Sequence, residues 1–126
     1  MTAEHGIAEG VRLFNRQQFF EAHEALEAVW LKARGHQKTF LHGLIQVAAA
    51  FHHHTRGNPA GFRSLLGKGC AKLEKFGPQA EGLDLAGLMR DLQAWREWLH
   101  GTIDPASPAP PLPQIRTIKA RLNSEL

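Results

Sequence analysis

Apolar residues recur at intervals of three and four along most of the chain, which is the spacing of one face of an α-helix. The pattern predicts five helices, over about residues 3–14, 18–33, 37–55, 59–76 and 85–100, and it contains no strand signal. Gly35 is predicted to end the second helix, because glycine is common just beyond a helix C-terminus. The third helix is apolar on nearly all sides, so we expect it to lie at the centre of the fold.

The chain changes character after the fifth helix. Five prolines fall between residues 104 and 113, which predicts an extended segment of polyproline conformation. The apolar residues that follow recur at helical spacing and predict a short docking helix within 114–126. We therefore expect an all-α fold, in which residues 1–103 form a compact bundle of about five helices and residues 104–126 form a proline-rich strap.

The composition is that of an ordinary globular domain, with 43% hydrophobic and 21% charged residues among 126. The chain has one cysteine, Cys70, which excludes an internal disulfide and a cysteine zinc site. Residues 1–10 contain no apolar run and predict no signal peptide. The longest stretch without a formal charge, residues 39–55, is too short for a normal membrane span. These features predict a cytoplasmic protein that does not contact a membrane.

Basic residues are concentrated in the middle third of the chain. Residues 32–75 carry eight Lys or Arg and one Glu, whereas residues 1–31 carry two basic and five acidic residues. Such a segment is able to attract an acidic ligand or a nucleic acid. No nucleic-acid-binding motif or aromatic platform accompanies the charge, so a solvated helix face is the simpler interpretation and a nucleic-acid partner is not favoured.

The second helix contains the residues best suited to chemistry. Its periodicity places His23 at the edge of the buried face and Glu27, four residues on, beside it, and Glu24 continues the same arc. His and Glu at this spacing are able to hold a metal ion or to act as an acid and a base. However, the string HExxE differs from the HExxH of zinc peptidases, and Phe20 stands where a di-iron ExxH motif needs Glu. The sequence therefore leaves two interpretations of these residues open, a structural polar seam and a ligand-binding site.

The third helix contributes several further histidines. His52 falls on an apolar face and is the one predicted to meet His23 and Glu27 across the interface between the second and third helices. His42 and His53 share a polar stripe, but the helical rise separates them too far to hold one ion. His23, Glu27 and His52 are thus weak candidates for a metal site, and nothing in the sequence identifies a cofactor.

Three stretches of the chain resemble one bacterial and archaeal family. They are FEAHExLExxW over residues 20–30, GLIQVAAAxH over 43–52 and RGNPxG over 56–61. The family is the domain-of-unknown-function family numbered 309, whose members look like small all-helical proteins. His42 is a departure, since family members often have Gln there. The resemblance implies a fold but no established reaction, and it implies that six residues act as a set: His23, Glu24, Glu27, Trp30, Gln46 and His52.

Three classes of function remain open at the level of sequence. The first is a non-enzymatic helical module that binds a protein partner or forms a homo-oligomer. It is suggested by apolar surface on the fifth helix, where Trp98 lies outside the row of residues predicted to be buried. The second is a small metal- or acid/base-dependent enzyme that uses His23, Glu27 and His52. The third is binding of an acidic ligand or nucleic acid by residues 32–75. The first is favoured because both metal motifs are near misses, and whether the protein is an enzyme stays open.

Overall fold

The computed structural model describes residues 2–101 and 107–118. Helices account for most of these residues, and the predicted all-α bundle is confirmed. In the described part of the chain, no helix combines the length and apolar character needed to cross a membrane. The five helices are α1 (Ala3–Asn15), α2 (Phe19–Trp30), α3 (Gly35–Thr55), α4 (Pro59–Leu73) and α5 (Leu85–Leu99).

Side-chain caps begin three of these helices. Thr2, Asn58 and Asp84 each accept a hydrogen bond from the backbone N–H three residues further along the chain. A cap of this kind pairs one of the N–H groups for which the first turn of a helix has no acceptor. The predicted starts of α1, α4 and α5 are confirmed at these positions.

The turn between α2 and α3 differs from the prediction. α2 ends at Trp30 rather than near residue 33, and Gly35 begins α3 instead of following α2. Ala33 is buried and therefore continues the apolar pattern of the sequence. However, it lies beyond the end of α2, where its N–H donates to the Trp30 carbonyl. Gly35 has a φ of +62°, a left-handed conformation that glycine adopts without steric cost.

Phe51 lies at the centre of the core, as expected for a residue of the central helix. Its ring centroid is 5.0–6.5 Å from four aromatic rings outside α3, and each of the four comes from a different helix. One fully buried side chain on α3 therefore contacts all the other helices of the bundle. The four neighbours are Phe14 of α1, Phe19 of α2, Phe62 of α4 and Trp95 of α5.

α3 and α4 approach each other closely at two glycines. A Cβ atom at Gly69 would lie 2.9 Å from the carbonyl oxygen of Gly43 and 2.9 Å from Cγ2 of Val47. Real Cβ atoms essentially never approach other atoms this closely, so the two backbones meet here only because side chains are absent.

Two short strands occur where no strand was predicted. β1 (Gln79–Ala80) and β2 (Leu83–Asp84) form an antiparallel hairpin. The turn residues Glu81 and Gly82 have φ values of 52° and 76°, as a two-residue hairpin turn requires. Strands of two residues are too short to leave an alternating pattern in the sequence, which is why periodicity did not reveal them.

The strap is described over residues 107–118, and its residues 116–118 extend this hairpin instead of forming a helix. The N–H of Asp84 donates to the carbonyl of Arg116 at 2.8 Å, and the N–H of Ile118 donates to the carbonyl of Gly82 at 2.9 Å. The predicted docking helix is therefore wrong for residues 114–118, because their backbone groups pair with β2 and its turn and with the side chains of Asn15 and Asp91. The rest of that predicted helix, residues 119–126, lies outside the described residues.

The strap also covers part of α5. The indole N–H of Trp95 donates to the carbonyl of Pro111 at 2.8 Å, and that of Trp98 donates to the carbonyl of Ser107 at 3.3 Å. The Trp98 ring is partly buried and packs 5.6 Å from the ring of Trp95. The expectation that Trp98 leaves free apolar surface on α5 is wrong, because the strap and Trp95 occupy that surface.

Candidate functional site

His23 and Glu27 are neighbours on α2, as their spacing predicted. His23 Nε2 lies 3.8 Å from Glu27 Oε2, which is longer than a hydrogen bond. Half of the Glu27 side chain is exposed, so water screens any charge interaction between the two groups. The pair is therefore a loose surface contact and contributes little to stability.

The second ring nitrogen of His23, Nδ1, is shielded from solvent and has no hydrogen-bond partner among the described residues. A histidine that binds a metal ion or transfers a proton is usually oriented by a hydrogen bond to the nitrogen not used in the chemistry. Neither nitrogen of His23 makes such a bond within this part of the structure. The described residues thus leave the tautomer of His23 unspecified.

His52 reaches the side of α2 that carries His23, but an aromatic ring contacts both. The Phe20 ring centroid is 5.9 Å from the His23 ring and 5.3 Å from the His52 ring. Across residues 2–101 and 107–118, no group of three or more His, Cys, Asp or Glu is arranged to hold a metal ion. His23 and His52 therefore both contact the Phe20 ring, and Glu27 lies only beside His23, so the described residues place the three metal candidates at no common coordination point.

Trp30 and Gln46 belong to a second group of residues, centred on His42. The His42 ring lies 5.6 Å from the Trp30 ring, and Lys38 Nζ lies 4.5 Å from the centroid of the same indole. Lys72 Nζ donates to Gln46 Oε1 at 2.8 Å. Burial, and secondarily the charge of Lys72, hold the pKa of His42 below its ordinary value, so this ring is neutral at pH 7.

The six residues of the predicted set thus fall into separate places. His23 and His52 contact the Phe20 ring, Glu27 lies beside His23, and Trp30 and Gln46 lie near His42. Glu24 is exposed without a hydrogen bond or ion pair to the described residues. Lys72 was not among the candidates from the sequence, yet it is partly buried on α4 and donates to Gln46. No local pattern in the sequence pairs Lys72 with Gln46, because the contact depends on how α3 and α4 pack.

An exposed apolar and acidic stripe runs along α2. Phe20 and Leu31 are 47% and 67% exposed, and they are the large hydrophobic residues exposed in the described part of the chain. Leu31 directly follows α2 in a right-handed helical conformation and lies eleven positions after Phe20, which corresponds to about 16 Å and three turns, so both lie on the same side of the helix. Glu24 and Glu27 lie between them and are also exposed. Phe20, Glu24, Glu27 and Leu31 are called the α2 outer face below.

The basic residues of segment 32–75 lie on several elements, and some of them are engaged. Lys38 contacts Trp30, Lys72 binds Gln46, and Arg63 Nη2 donates to the carbonyl of Leu99 at 3.3 Å. Binding of an acidic ligand by this segment stays a prediction.

Cys70 is buried on α4. Burial raises the pKa of its thiol, so the group stays protonated at neutral pH. The described structure therefore gives Cys70 the environment of a packing residue rather than that of an activated nucleophile.

Comparison with protein families supports the resemblance drawn from the sequence. Residues 7–65 match the family model of a domain of unknown function, DUF309. The matched range includes the FEAHExLExxW string and all six residues of the predicted set, and it confirms the resemblance. No curated protein matches the sequence.

Proposed function

We propose that this protein is a non-enzymatic helical module that binds a partner protein through the α2 outer face. The observation that carries the proposal is the exposure of Phe20 and Leu31 on one side of one helix. Other large hydrophobic side chains in the described part of the chain are at least partly buried. Large apolar side chains exposed on one side of a helix are a feature of interaction surfaces, and aromatic side chains are frequent anchors in them.

The carboxylates of the α2 outer face define the chemistry of the partner. Glu24 and Glu27 lie between the two apolar side chains, and Glu21 flanks them. A partner helix that presents two apolar side chains about 16 Å apart, with Lys or Arg between them, would match this surface. The partner is therefore a basic amphipathic helix.

A second copy of this chain is a poorer match. Antiparallel pairing of two α2 helices about their midpoint would place Phe20 against Leu31 of the other copy, which is favourable. The same register would place Glu24 against Glu27, and such like-charge contacts are costly. Charge thus favours a distinct, basic partner over self-association.

The proposal predicts that a basic amphipathic peptide binds the intact protein and requires both apolar side chains. The probe is a fluorescein-labelled 18-residue peptide of Leu, Lys and Ala, with Leu residues eleven positions apart and Lys between them. Fluorescence anisotropy is expected to show at least tenfold weaker binding to the Phe20→Ser/Leu31→Ser variant, because central apolar anchors carry most of the energy of an interface.

A matched control is available on another helix. Ala60 and Ala71 are exposed on α4 and are also eleven residues apart, so the Ala60→Ser/Ala71→Ser variant should bind the peptide like the wild type. Equal binding by the α2 and α4 variants would overturn the proposal. A concentration-dependent dimer in sedimentation velocity, abolished by Leu31→Ser, would also overturn it and would assign the face to self-association.

A further inference from the structure

A pocket of about 350 Å³ opens between the start of α1, the second half of α2 and the start of α3. Its size lies within the range of small-molecule sites. Gly6 allows this arrangement, because a Cβ at that position would overlap Cγ2 of Val29. The walls are made mainly of small apolar residues: Ala3, Gly6, Ala25, Ala28, Val29 and Ala33. This lining suits an aliphatic chain, which needs smooth apolar contact and no hydrogen bonds.

Three of the four polar residues that line the pocket are already paired. Glu9 accepts two hydrogen bonds of 2.8 Å from Arg12, which hold the pKa of its carboxyl below the ordinary value. Gln37 Nε2 donates to Glu81 Oε1, and Thr2 Oγ1 caps α1.

The fourth polar residue of the lining is Lys32. It is exposed and makes no ion pair or hydrogen bond within the described part of the chain. Because the Glu9 carboxylate is neutralised by Arg12, the unpaired charge at the pocket is positive.

We propose that this pocket binds an unbranched aliphatic carboxylate, with the hydrocarbon chain between α1 and α2 and the carboxylate at Lys32. The site is separate from the α2 outer face and does not depend on the proposed function. Charge complementarity to Lys32 selects an anionic head group, and the apolar walls of the pocket select a hydrocarbon chain. Methylene burial is the source of affinity, while Lys32 supplies the preference for an acid over an alcohol or an amine.

Chemical-shift titration of the ¹⁵N-labelled full chain with hexanoate, octanoate and decanoate tests the proposal. The expected result is a tightening of about fourfold for each added methylene, with shifts at the amides of Gly6, Ala25 and Ala28. Octylammonium should bind more weakly than octanoate. Affinity that does not depend on chain length, or equal binding of octylammonium and octanoate, would overturn the assignment.

Two substitutions, each with a matched control, distinguish recognition of the hydrocarbon chain from recognition of the carboxylate head group. Lys32→Gln should weaken octanoate binding by about three- to fivefold and leave octanol binding unchanged, as expected for a solvent-exposed ion pair. Ala28→Leu should fill the pocket and abolish binding of both ligands. Lys68→Gln and Ala71→Leu make the same changes at exposed positions of α4 and should behave like the wild type. Binding that survives Ala28→Leu would place the ligand elsewhere and overturn the proposal.

Discussion

Replacement of Phe51 by alanine is expected to lower the free energy of unfolding by about 3–5 kcal/mol. Phe51 is fully buried, and its ring contacts an aromatic ring from each of the other four helices. The substitution removes the burial of a large side chain and leaves a cavity that all five helices would have to move to fill. Urea unfolding followed by tryptophan fluorescence measures the change.

Phe20→Ala is the matched control for this substitution. Its ring is 47% exposed, so the same chemical change should alter the free energy of unfolding by no more than about 1 kcal/mol. Equal losses for Phe51→Ala and Phe20→Ala would contradict the proposed core. A small effect of Phe20→Ala on stability would also allow its effect on binding to be interpreted directly.

Asn15→Ala is expected to cost about 2–4 kcal/mol and to release the strap from α1. Asn15 Nδ2 donates to the carbonyl of Ile115 at 2.7 Å, and the N–H of Ile115 donates to Asn15 Oδ1 at 2.7 Å. Ile115 is buried, so alanine at position 15 leaves two backbone groups without a partner and without access to water. Hydrogen exchange should show loss of protection at the Ile115 amide in addition to the change in unfolding.

Asn58→Ala provides the comparison for this prediction. Asn58 caps α4 and is exposed, so its loss should cost about 1 kcal/mol and leave exchange at Ile115 unchanged. Undiminished protection of Ile115 in Asn15→Ala would contradict the role assigned to Asn15.

The long helices were predictable from sequence, whereas the elements that depend on distant contacts were not. α3 and α5 carry enough turns for the helical period to be clear, and Asp84 marks the start of α5. The hairpin of β1 and β2 is too short to show a period. The extended path of residues 114–118 depends on hydrogen bonds to β2 and to Asn15, about 100 residues away along the chain, and no local pattern records such bonds.

In the candidate site, too, contacts within one helix were predictable from the sequence and contacts between helices were not. The contact between His23 and Glu27 is local to one helix and followed from their spacing. The placement of Phe20 against His52, and of Lys72 against Gln46, depends on how neighbouring helices are rotated about their axes. Leu31 directly follows the last residue of α2 and faces solvent.

A charge-swap experiment tests the central claim, that the α2 outer face binds a basic amphipathic helix. The wild type and the Glu24→Lys/Glu27→Lys variant are each titrated with the Lys-containing peptide and with a peptide in which every Lys is replaced by Glu. Both positions are exposed, so the variant should remain folded. The account predicts that the wild type binds the Lys peptide at least tenfold more tightly than the Glu peptide, and that the variant reverses this preference. An unchanged preference in the variant would contradict the account.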